Sequence, residues 1–597
     1  MQSRAEMTRE LIKNILMCCI ICSITLFVSS RRFVNAEVTP KWLCLMLCLG
    51  FMGMVWSVFN HKTSIKNNQS KIVNYLYGTV IVFALTLAIQ GIFQYAGVLP
   101  SGNYHAVTGS FDNPAGFAAA LVCALPLCFL FFTDKTKYLK YAAIAAAALM
   151  AIAIFLSGSR AGMVAMAVAM AVWFLAKPRY LPCFQRHGRF RVAKIILLVV
   201  LVVLPLILYF FKKDSADGRL LIWRCTLDMV ADKPVFGHGH SAFQAKYMLY
   251  QAAYLNAHPN SKYAQLADNT IRPFNEYLLI LSEYGIVGLS AVALIGFFLV
   301  RTYRRKSPPP LEGDRGEAFV ALMSLLALSV FSFFSYPFRY PFTWVMLFVI
   351  LLGFQNPAGF TQGYVRRFIQ NLRPAKFWKH SRSIVRVVVF LLSAGLLTYT
   401  VMLTRAEITW NRIARQSLAG QTLKVLPEYD KLYPLLGKNG LFLYNHAAEL
   451  HEAKEYEKSV AVFERCTRYY NDMDVQILLA DNYKELGKYP EAEQCLKLAA
   501  AMCPARFMPL YELVRLYDAA DRKDEALALA KKIIDKDVKI PSHTVTAIKN
   551  EMRQLIEAQE TSDETESNNP TNNEPINNKT RQGETPEVQP HGAALPP

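Results

Sequence analysis

Apolar runs long enough to cross a bilayer recur through the first two thirds of this chain, and about 20 such residues make one membrane-crossing helix. They fall at Leu11–Ser30, Trp42–Phe59, Tyr77–Tyr95, Ala115–Phe132, Tyr141–Leu156 and Ala161–Ala176. Ile195–Phe211, Tyr284–Val300, Ala318–Ser335, Pro341–Phe354 and Ile384–Met402 follow. The expectation is an all-α fold: a polytopic helical membrane domain of about 11 spans over residues 1–403, with a large polar interval at 212–274. Hydrophobic residues at 53% and a mean hydropathy of +0.20 agree, since soluble chains run at about 45–50% apolar. Val34-Asn35-Ala36 loosely fits a signal-peptide cleavage site, but Arg31 and Arg32 stand between it and the apolar run, which favours a retained first span.

The net charge of +20 invites a nucleic-acid reading, yet the Lys and Arg residues cluster in short loops between spans. Lys62, Lys66 and Lys71 share one loop, and Lys135, Lys137 and Lys140 another. Arg301, Arg304, Arg305 and Lys306 share a third. These alternate with loops poor in basic residues, which orients the chain against anionic lipid and argues for no nucleic acid. Assigning the basic loops to the cytoplasm puts the N-terminus inside; the polar interval and everything after Met402 then lie outside. The 12 cysteines show no metal-ligand spacing, and most sit in apolar spans as small hydrophobes. No disulfide is expected among Cys466, Cys495 and Cys503.

After the last span the chain turns soluble and helical. LHEAKEYEKSVAVFE, YKELGKYPEAEQCLKLAA and YDAADRKDEALALAKK align with Tyr456, Tyr489 and Lys523 in register, and with Ser459, Ala492 and Ala526 at matching offsets. Such a period with small residues at the helix crossing predicts tetratricopeptide-like repeats over 404–556. Stacked repeats present a surface for a protein or peptide partner. Residues 557–597 carry almost nothing apolar to bury and are expected to be a disordered tail.

Five polar elements stand on the predicted outer face. TGSFDNPAGFAAAL starts a span after Asn113, and SGSRAG puts Arg160 at a span end, where a cation needs an anionic partner. The third runs from Gly218 to Phe243: Arg219, then an amphipathic helix whose apolar side includes Leu220, Trp223, Leu227 and Val230, then Pro234 and the turn GHGHSAF. His238 and His240 in that turn lack the spacing of metal ligands, so no metal is expected, and proton handling or hydrogen bonding is the better use. In the fourth, Asn275 and Glu276 head a helix while Gly285 and Gly288 mark a turn into the next span. The fifth, SYPFRYP, supplies Arg339. Plain loops, caps and turns account for several of these equally well.

These stretches, in this order between spans, resemble the bacterial O-antigen ligase family, which also holds O-antigen polymerases and protein O-oligosaccharyltransferases. The likeness covers roughly residues 103–354, and the attached repeats resemble a tetratricopeptide-bearing branch common in Bacteroidetes-type bacteria. It implies a metal-independent, cofactor-free, inverting transfer of a glycan from undecaprenyl diphosphate to an acceptor hydroxyl, on lipid A–core or on protein Ser/Thr. The family's diphosphate-holding arginines fall on Arg160 and Arg219, with Arg339 a further candidate. Its His-Asn-x9-Gly-x-x-Gly pattern is met at Asn275, Gly285 and Gly288, but Phe274 stands at the His position. The role of that His is therefore unfilled, or has moved to His240, His258, Asp268 or Glu276. Physically, a diphosphate leaves only if fixed cations meet its growing charge, and a hydroxyl attacks only if a base takes its proton. A polymerase, a non-catalytic envelope scaffold and a lipid-glycan transporter are the rivals. Against a transporter, the polar residues collect at one face and no internal duplication of spans is visible.

Overall fold

A computed structural model describes residues 2–58, 69–101, 105–176, 203, 206–305, 314–354 and 375–567, and every regular element among them is helical. That is the economical solution in lipid, where a helix satisfies its own backbone. The helices used below are α1 (Gln2–Phe27), α2 (Thr39–Val58), α3 (Gln69–Tyr95), α4 (Pro114–Cys128), α5 (Lys137–Leu156), α6 (Arg160–Ala176), α7 (Lys213–Asp232) and α8 (Ala242–Ala257). Then come α9 (Glu276–Arg305), α10 (Asp314–Phe334), α11 (Pro341–Leu352), α12 (Ala375–Gln416) and α13 (Thr422–Leu436). The rest are α14 (Gly440–Glu452), α15 (Tyr456–Cys466), α16 (Met473–Glu485), α17 (Tyr489–Met502), α18 (Met508–Ala519), α19 (Lys523–Asp535) and α20 (His543–Ser567).

Among the described residues, 6 helices are long and apolar enough to cross a membrane: Thr39–Val58, Ile72–Tyr95, Lys137–Leu156, Glu276–Arg304, Gly316–Phe334 and Ser383–Leu436. Four shorter apolar helices, Leu11–Phe27, Pro114–Cys128, Arg160–Phe174 and Pro341–Leu352, stand where spans were expected. The expected span Ile195–Phe211 lies mostly outside the described residues. Two boundaries move. The helix predicted to end at Met402 continues to Gln416, and the last helix runs to Ser567, into the stretch expected to be disordered. The remainder of that tail lies outside the described residues.

The chain divides into two compact units. The first comprises Met1–Lys213, Phe274–Ile280 and Ile286–Thr409. At its centre is α4, buried on every side from Gly116 to Cys128. A helix packed all round reads as apolar all round, and its Ala-rich sequence lets α3, α5, α6 and α10 pack against it.

The second unit comprises Asp214–Pro273, Leu281–Gly285 and Trp410–Pro597. On α7 the buried side is Leu221, Ile222, Cys225 and Met229, whereas Leu220 and Leu227 of the apolar side read from the sequence are exposed. Both stripes are apolar at helical spacing, so periodicity alone could not choose between them. Helices α14–α15, α16–α17 and α18–α19 form three pairs joined by one recurring turn. Lys454, Gly487 and Asp521 adopt φ of 61°, 70° and 57° at intervals of 33 and 34 residues. In each turn the next N–H reaches back to the helix: Glu455 to Leu450 O at 2.9 Å, Lys488 to Tyr483 O at 2.8 Å, Arg522 to Tyr517 O at 2.8 Å. This is the hydrogen bond that closes a left-handed helix cap. Ser459, Ala492 and Ala526 are buried where the paired helices cross.

Within this unit α8 and the residues after it pack on the helix pairs. The Gln251 amide donates to Met502 O at 2.7 Å, Asn471 N–H donates to Gln244 O at 3.1 Å, and Asn269 Nδ2 donates to Asp474 Oδ2 at 2.9 Å. Arg506 grips Asp268 with Nη2 at 2.9 and 2.7 Å from its two carboxylate oxygens. A cavity of about 410 Å³ opens beside this pair, lined also by Met473, Phe507, Lys539 and Ile548. Burial, with the Asp472 carboxylate close by, pushes the Asp474 carboxyl up to about 6. A carboxyl raised on folding contributes most when protonated, and that contribution is lost as pH rises through its folded value. Asp474→Asn is therefore expected to raise the thermal unfolding temperature at about pH 7, with the gain shrinking toward about pH 4. Thermal scans across that range check the sign.

Candidate active site

Apart from Arg160, the polar elements form two clusters, one in each unit. In the first unit, the loop before α4 is tied down at every step. Gln94 Oε1 accepts from Thr108 N and Gly109 N at 3.1 and 2.7 Å, while its Nε2 donates to Gly109 O at 2.9 Å. Asn113 caps α4 by accepting from Ala115 N at 2.7 Å, and its amide donates to the Tyr336 hydroxyl at 2.6 Å. Arg339 pairs with Asp112 at 2.9 Å, and the Tyr340 hydroxyl donates to the same carboxylate at 2.7 Å. Lys41 is fully buried beneath this loop, donating to Ser110 O with its ammonium 4.4 Å from the centre of the Phe111 ring. Trp42 Nε1 donates to Arg339 O at 3.0 Å.

The start of α9 joins the same cluster. Asn275 caps the helix by accepting from Tyr277 N and Leu278 N at 2.9 and 3.1 Å. The buried Glu276 carboxylate accepts from Phe338 N at 3.1 Å. Phe274, in the left-handed region at φ 53°, sets its ring edge-on to Tyr336, with centroids 5.4 Å apart. Arg160 heads α6 and donates through Nη1 to Leu208 O and Lys212 O at 3.4 and 3.2 Å, on the last turn before α7.

In the second unit, the Val235–Gly239 turn lies directly on residues 282–285. His238 N donates to Ser282 O and Gly239 N donates to Glu283 O, both at 2.9 Å. Two glycines permit this approach. A Cβ on Gly237 would lie 2.3 Å from the Glu283 carbonyl carbon, and one on Gly285 would lie 2.2 Å from Val235 O. Gly285 also takes φ 61° and ψ −161°, which kinks α9 there. The expected turn at Gly285 and Gly288 is thus one kink at Gly285, and Gly288 continues the helix.

That packing sets His240 beside Glu283 and Tyr284. His240 Nδ1 is 2.6 Å from the Tyr284 hydroxyl and 3.8 Å from Glu283 Oε2. The imidazole is 81% exposed, whereas the Glu283 side chain is 9% exposed. Glu283 lies close to the Ser241 and Phe243 N–H groups at the amino end of α8, with Arg272 near enough to act on it. An exposed imidazole next to a fixed, buried carboxylate can take a proton and have its charge met. His238 is built differently. Its Nε2 lies 2.8 Å from Met229 O and therefore donates, which leaves Nδ1 to accept from Lys246 Nζ at 3.3 Å. Burial holds its pKa below the ordinary value, consistent with a neutral brace.

The remaining candidates are distributed as follows. His258 closes the end of α8, donating from Nδ1 to Tyr254 O at 2.9 Å. Asp268 belongs to the pairing with Arg506, and Glu276 to the Phe338 amide. Arg339 has its charge met by Asp112 inside the protein. Arg219 is half-buried on α7, ten residues and so about 15 Å along the helix from Met229. Sequence reasoning missed Lys41, Asp112, Tyr336, Glu283 and Tyr284. Among the described residues, no group of three or more His, Cys, Asp or Glu side chains is arranged to hold a metal ion.

Residues 145–293 match the family model described as O-Antigen ligase, which supports the O-antigen ligase family. The match takes in Arg160, Arg219, the His240–Glu283–Tyr284 group and both contacting glycines. It supports a membrane glycan transferase of the ligase or polymerase type. No curated protein matches the chain.

Gly285→Ala is expected to destabilise the protein by about 2 kcal/mol or more, since it adds a clash to backbone strain. Gly296→Ala on the same helix, where nothing lies within 4 Å, is expected to be neutral or stabilising. Thermal unfolding of the purified protein compares the two.

Proposed function

We propose that the chain transfers a glycan from undecaprenyl diphosphate to an acceptor hydroxyl at the outer face of a bacterial inner membrane, with His240 as the general base. The observation that carries this reading is the exposed His240 imidazole beside the buried Glu283 carboxylate, within the segment matching the O-antigen ligase family. With Nδ1 engaged by Tyr284, the ring's Nε2 takes the acceptor proton as the hydroxyl oxygen attacks the anomeric carbon of the donor sugar. Attack from the side opposite the carrier inverts that carbon, and the bond to the lipid diphosphate breaks. Glu283 balances the imidazolium. Arg160 and Arg219 meet the charge on the departing diphosphate, as guanidinium forks do without a metal.

In this reading His240 performs what the family assigns to a His at the position of Phe274. Asp268, Glu276, His258 and Arg339 act as structural groups, which fits their backbone and ion-pair partners. The chain crosses the membrane about 11 times, and the basic loops orient it with the N-terminus in the cytoplasm. The helix pairs, of the tetratricopeptide kind, lie in the periplasm. The acceptor is a lipid A–core sugar, a protein Ser/Thr or a growing chain. A second reading, a non-catalytic envelope scaffold, draws on Phe274 alone.

His240→Ala is expected to cut glycan transfer by about 10²–10⁴-fold with protein level unchanged, and Glu283→Gln by less. Arg219→Ala is expected to abolish transfer. Lipopolysaccharide gels and mass spectrometry of periplasmic glycoproteins read the result. Full transfer by the His240 variant sinks the base assignment. An unchanged phenotype in all three variants points to the scaffold.

A further inference from the structure

A cavity of about 200 Å³ opens on the outside of the first unit, between the end of α4, the first part of α5 and the end of α6. Its inner wall is buried and includes Leu125 of α4, Phe129 just beyond it and Ala147 of α5. Its mouth is open, with Ile144, Met170 and Phe174 exposed by 39%, 38% and 37%. One side is a block of rings: the Trp173 centroid lies 5.3 Å from Phe129, 5.7 Å from Phe132 and 5.0 Å from Phe174. Every lining side chain is apolar or aromatic. We propose that this cavity binds one hydrocarbon chain of an anionic phospholipid, whose phosphate is met by Lys137 and Lys140.

The walls select the chain. α5 is long and apolar enough to cross a membrane, so the medium at the cavity's mouth is hydrocarbon rather than water. An apolar cavity of about 150 Å³ already takes a benzene. This one accepts a stretch of alkyl chain and offers a sugar or a peptide no carboxylate, amide or hydroxyl. The same helix supplies the headgroup contact. Lys137, Lys140, Ile144 and Ala148 follow one another along α5 at spacings of three and four, which puts them on one face. Ala148 lies about 12 Å beyond Lys140 along the axis, within the half-thickness of a hydrocarbon core at about 15 Å. A single lipid therefore reaches from the lysines into the cavity. Lys135, Lys137 and Lys140 stand there against Asp134 alone, and Asp134 accepts from Thr136 N at 2.7 Å. An excess of ammonium groups beside a spanning helix favours anionic over zwitterionic headgroups. Tyr138 and Tyr141 flank these lysines and are exposed, as tyrosines at a membrane–water boundary are. The cavity is separate from the transfer chemistry proposed above. Asn113 and Arg160 stand at the starts of α4 and α6, whereas the cavity lies at the ends of both, with Trp173 about 20 Å along α6 from Arg160.

Native mass spectrometry of the full-length, delipidated protein in detergent tests this, with dioleoylphosphatidylglycerol or dioleoylphosphatidylcholine added back. One phosphatidylglycerol per chain is expected to stay bound, several-fold in preference to phosphatidylcholine. Ala148→Trp, which fills the cavity from an exposed position, is expected to cut retention of both lipids several-fold. Lys137→Ser with Lys140→Ser is expected to lower phosphatidylglycerol to the level of phosphatidylcholine. That second variant lies outside the core and carries the test should the tryptophan fail to fold. Equal retention of the two lipids by the parent protein would overturn the proposal. Unchanged retention by Ala148→Trp would overturn it in favour of lipid held elsewhere on the protein. Displacement of phosphatidylglycerol by one polyprenyl phosphate would overturn it in favour of the donor's own carrier. A dimer that Ala148→Trp dissociates would overturn it in favour of a second copy of the chain. Loss of transfer by Arg219→Ala leaves lipid retention untouched, so the two readings fail separately.

Discussion

Backbone packed directly on backbone, at Gly237 and Gly285, is the constraint from which the second unit's site follows. Any side chain at either position would meet a peptide group at 2.2–2.3 Å, closer than carbon ever approaches. Because both positions are glycine, the turn after α7 can exchange two hydrogen bonds with residues 282 and 283. Three consequences arise together. Glu283 is carried to the amino end of α8, His240 is set over Tyr284, and α7 is fixed at its far end. A left-handed kink in a long helix costs energy. It is retained here where the Glu283 carboxylate comes close to the amino end of the next helix.

The first unit achieves rigidity by other means. A buried ammonium is tolerated only when its charge and its protons are met, and Lys41 meets both demands with the Ser110 carbonyl, the Phe111 ring and the nearby Glu37 and Asp112 carboxylates. Asp112 in turn anchors Arg339 and Tyr340, and Asn113 anchors Tyr336. The loop before α4 is therefore an assembly point for the starts of α2, α4, α9 and α11. Helix starts leave unpaired N–H groups, and at this cluster asparagines and a glutamate supply the acceptors. Arg339 is part of that framework, which narrows the arginines available to an anionic substrate.

How much of this was legible depends on how local each cause is. The existence of the helices was, because apolar length is a property of one stretch. The caps at Asn113 and Asn275 were as well, since a cap acts within three residues. The recurring turn at residues 454, 487 and 521 left its mark in the register of Tyr456, Tyr489 and Lys523. What a chain cannot show locally is which of two apolar stripes finds protein, and on α7 it is the one through Leu221, Ile222, Cys225 and Met229. Nor can it show partners. Glu283 looked like an ordinary helix residue until a turn more than forty positions away was laid against it, and Asp268 looked reactive until Arg506 claimed it. Gly285 was visible as a special position, but its reason, a peptide carbonyl from Val235, was not.

The helix pairs raise a different question, because part of their surface is already occupied. Asp268, Asn269 and Gln251 come from the polar interval, and they meet Arg506, Asp474 and the Met502 carbonyl. A repeat surface evolved only to catch an external peptide would not place its polar groups, half-buried, against residues of its own chain. The Arg506–Asp268 pair is about half-exposed on both sides, so its own stability contribution is small. Its value lies in geometry, since two N–H groups on one carboxylate set direction as well as distance. The same interval carries α7 and the His240 turn. Docking α8 on the helix pairs therefore limits how far the loop bearing the candidate base can drift, and the flexibility expected of a long polar interval between membrane spans is removed by the domain that follows it.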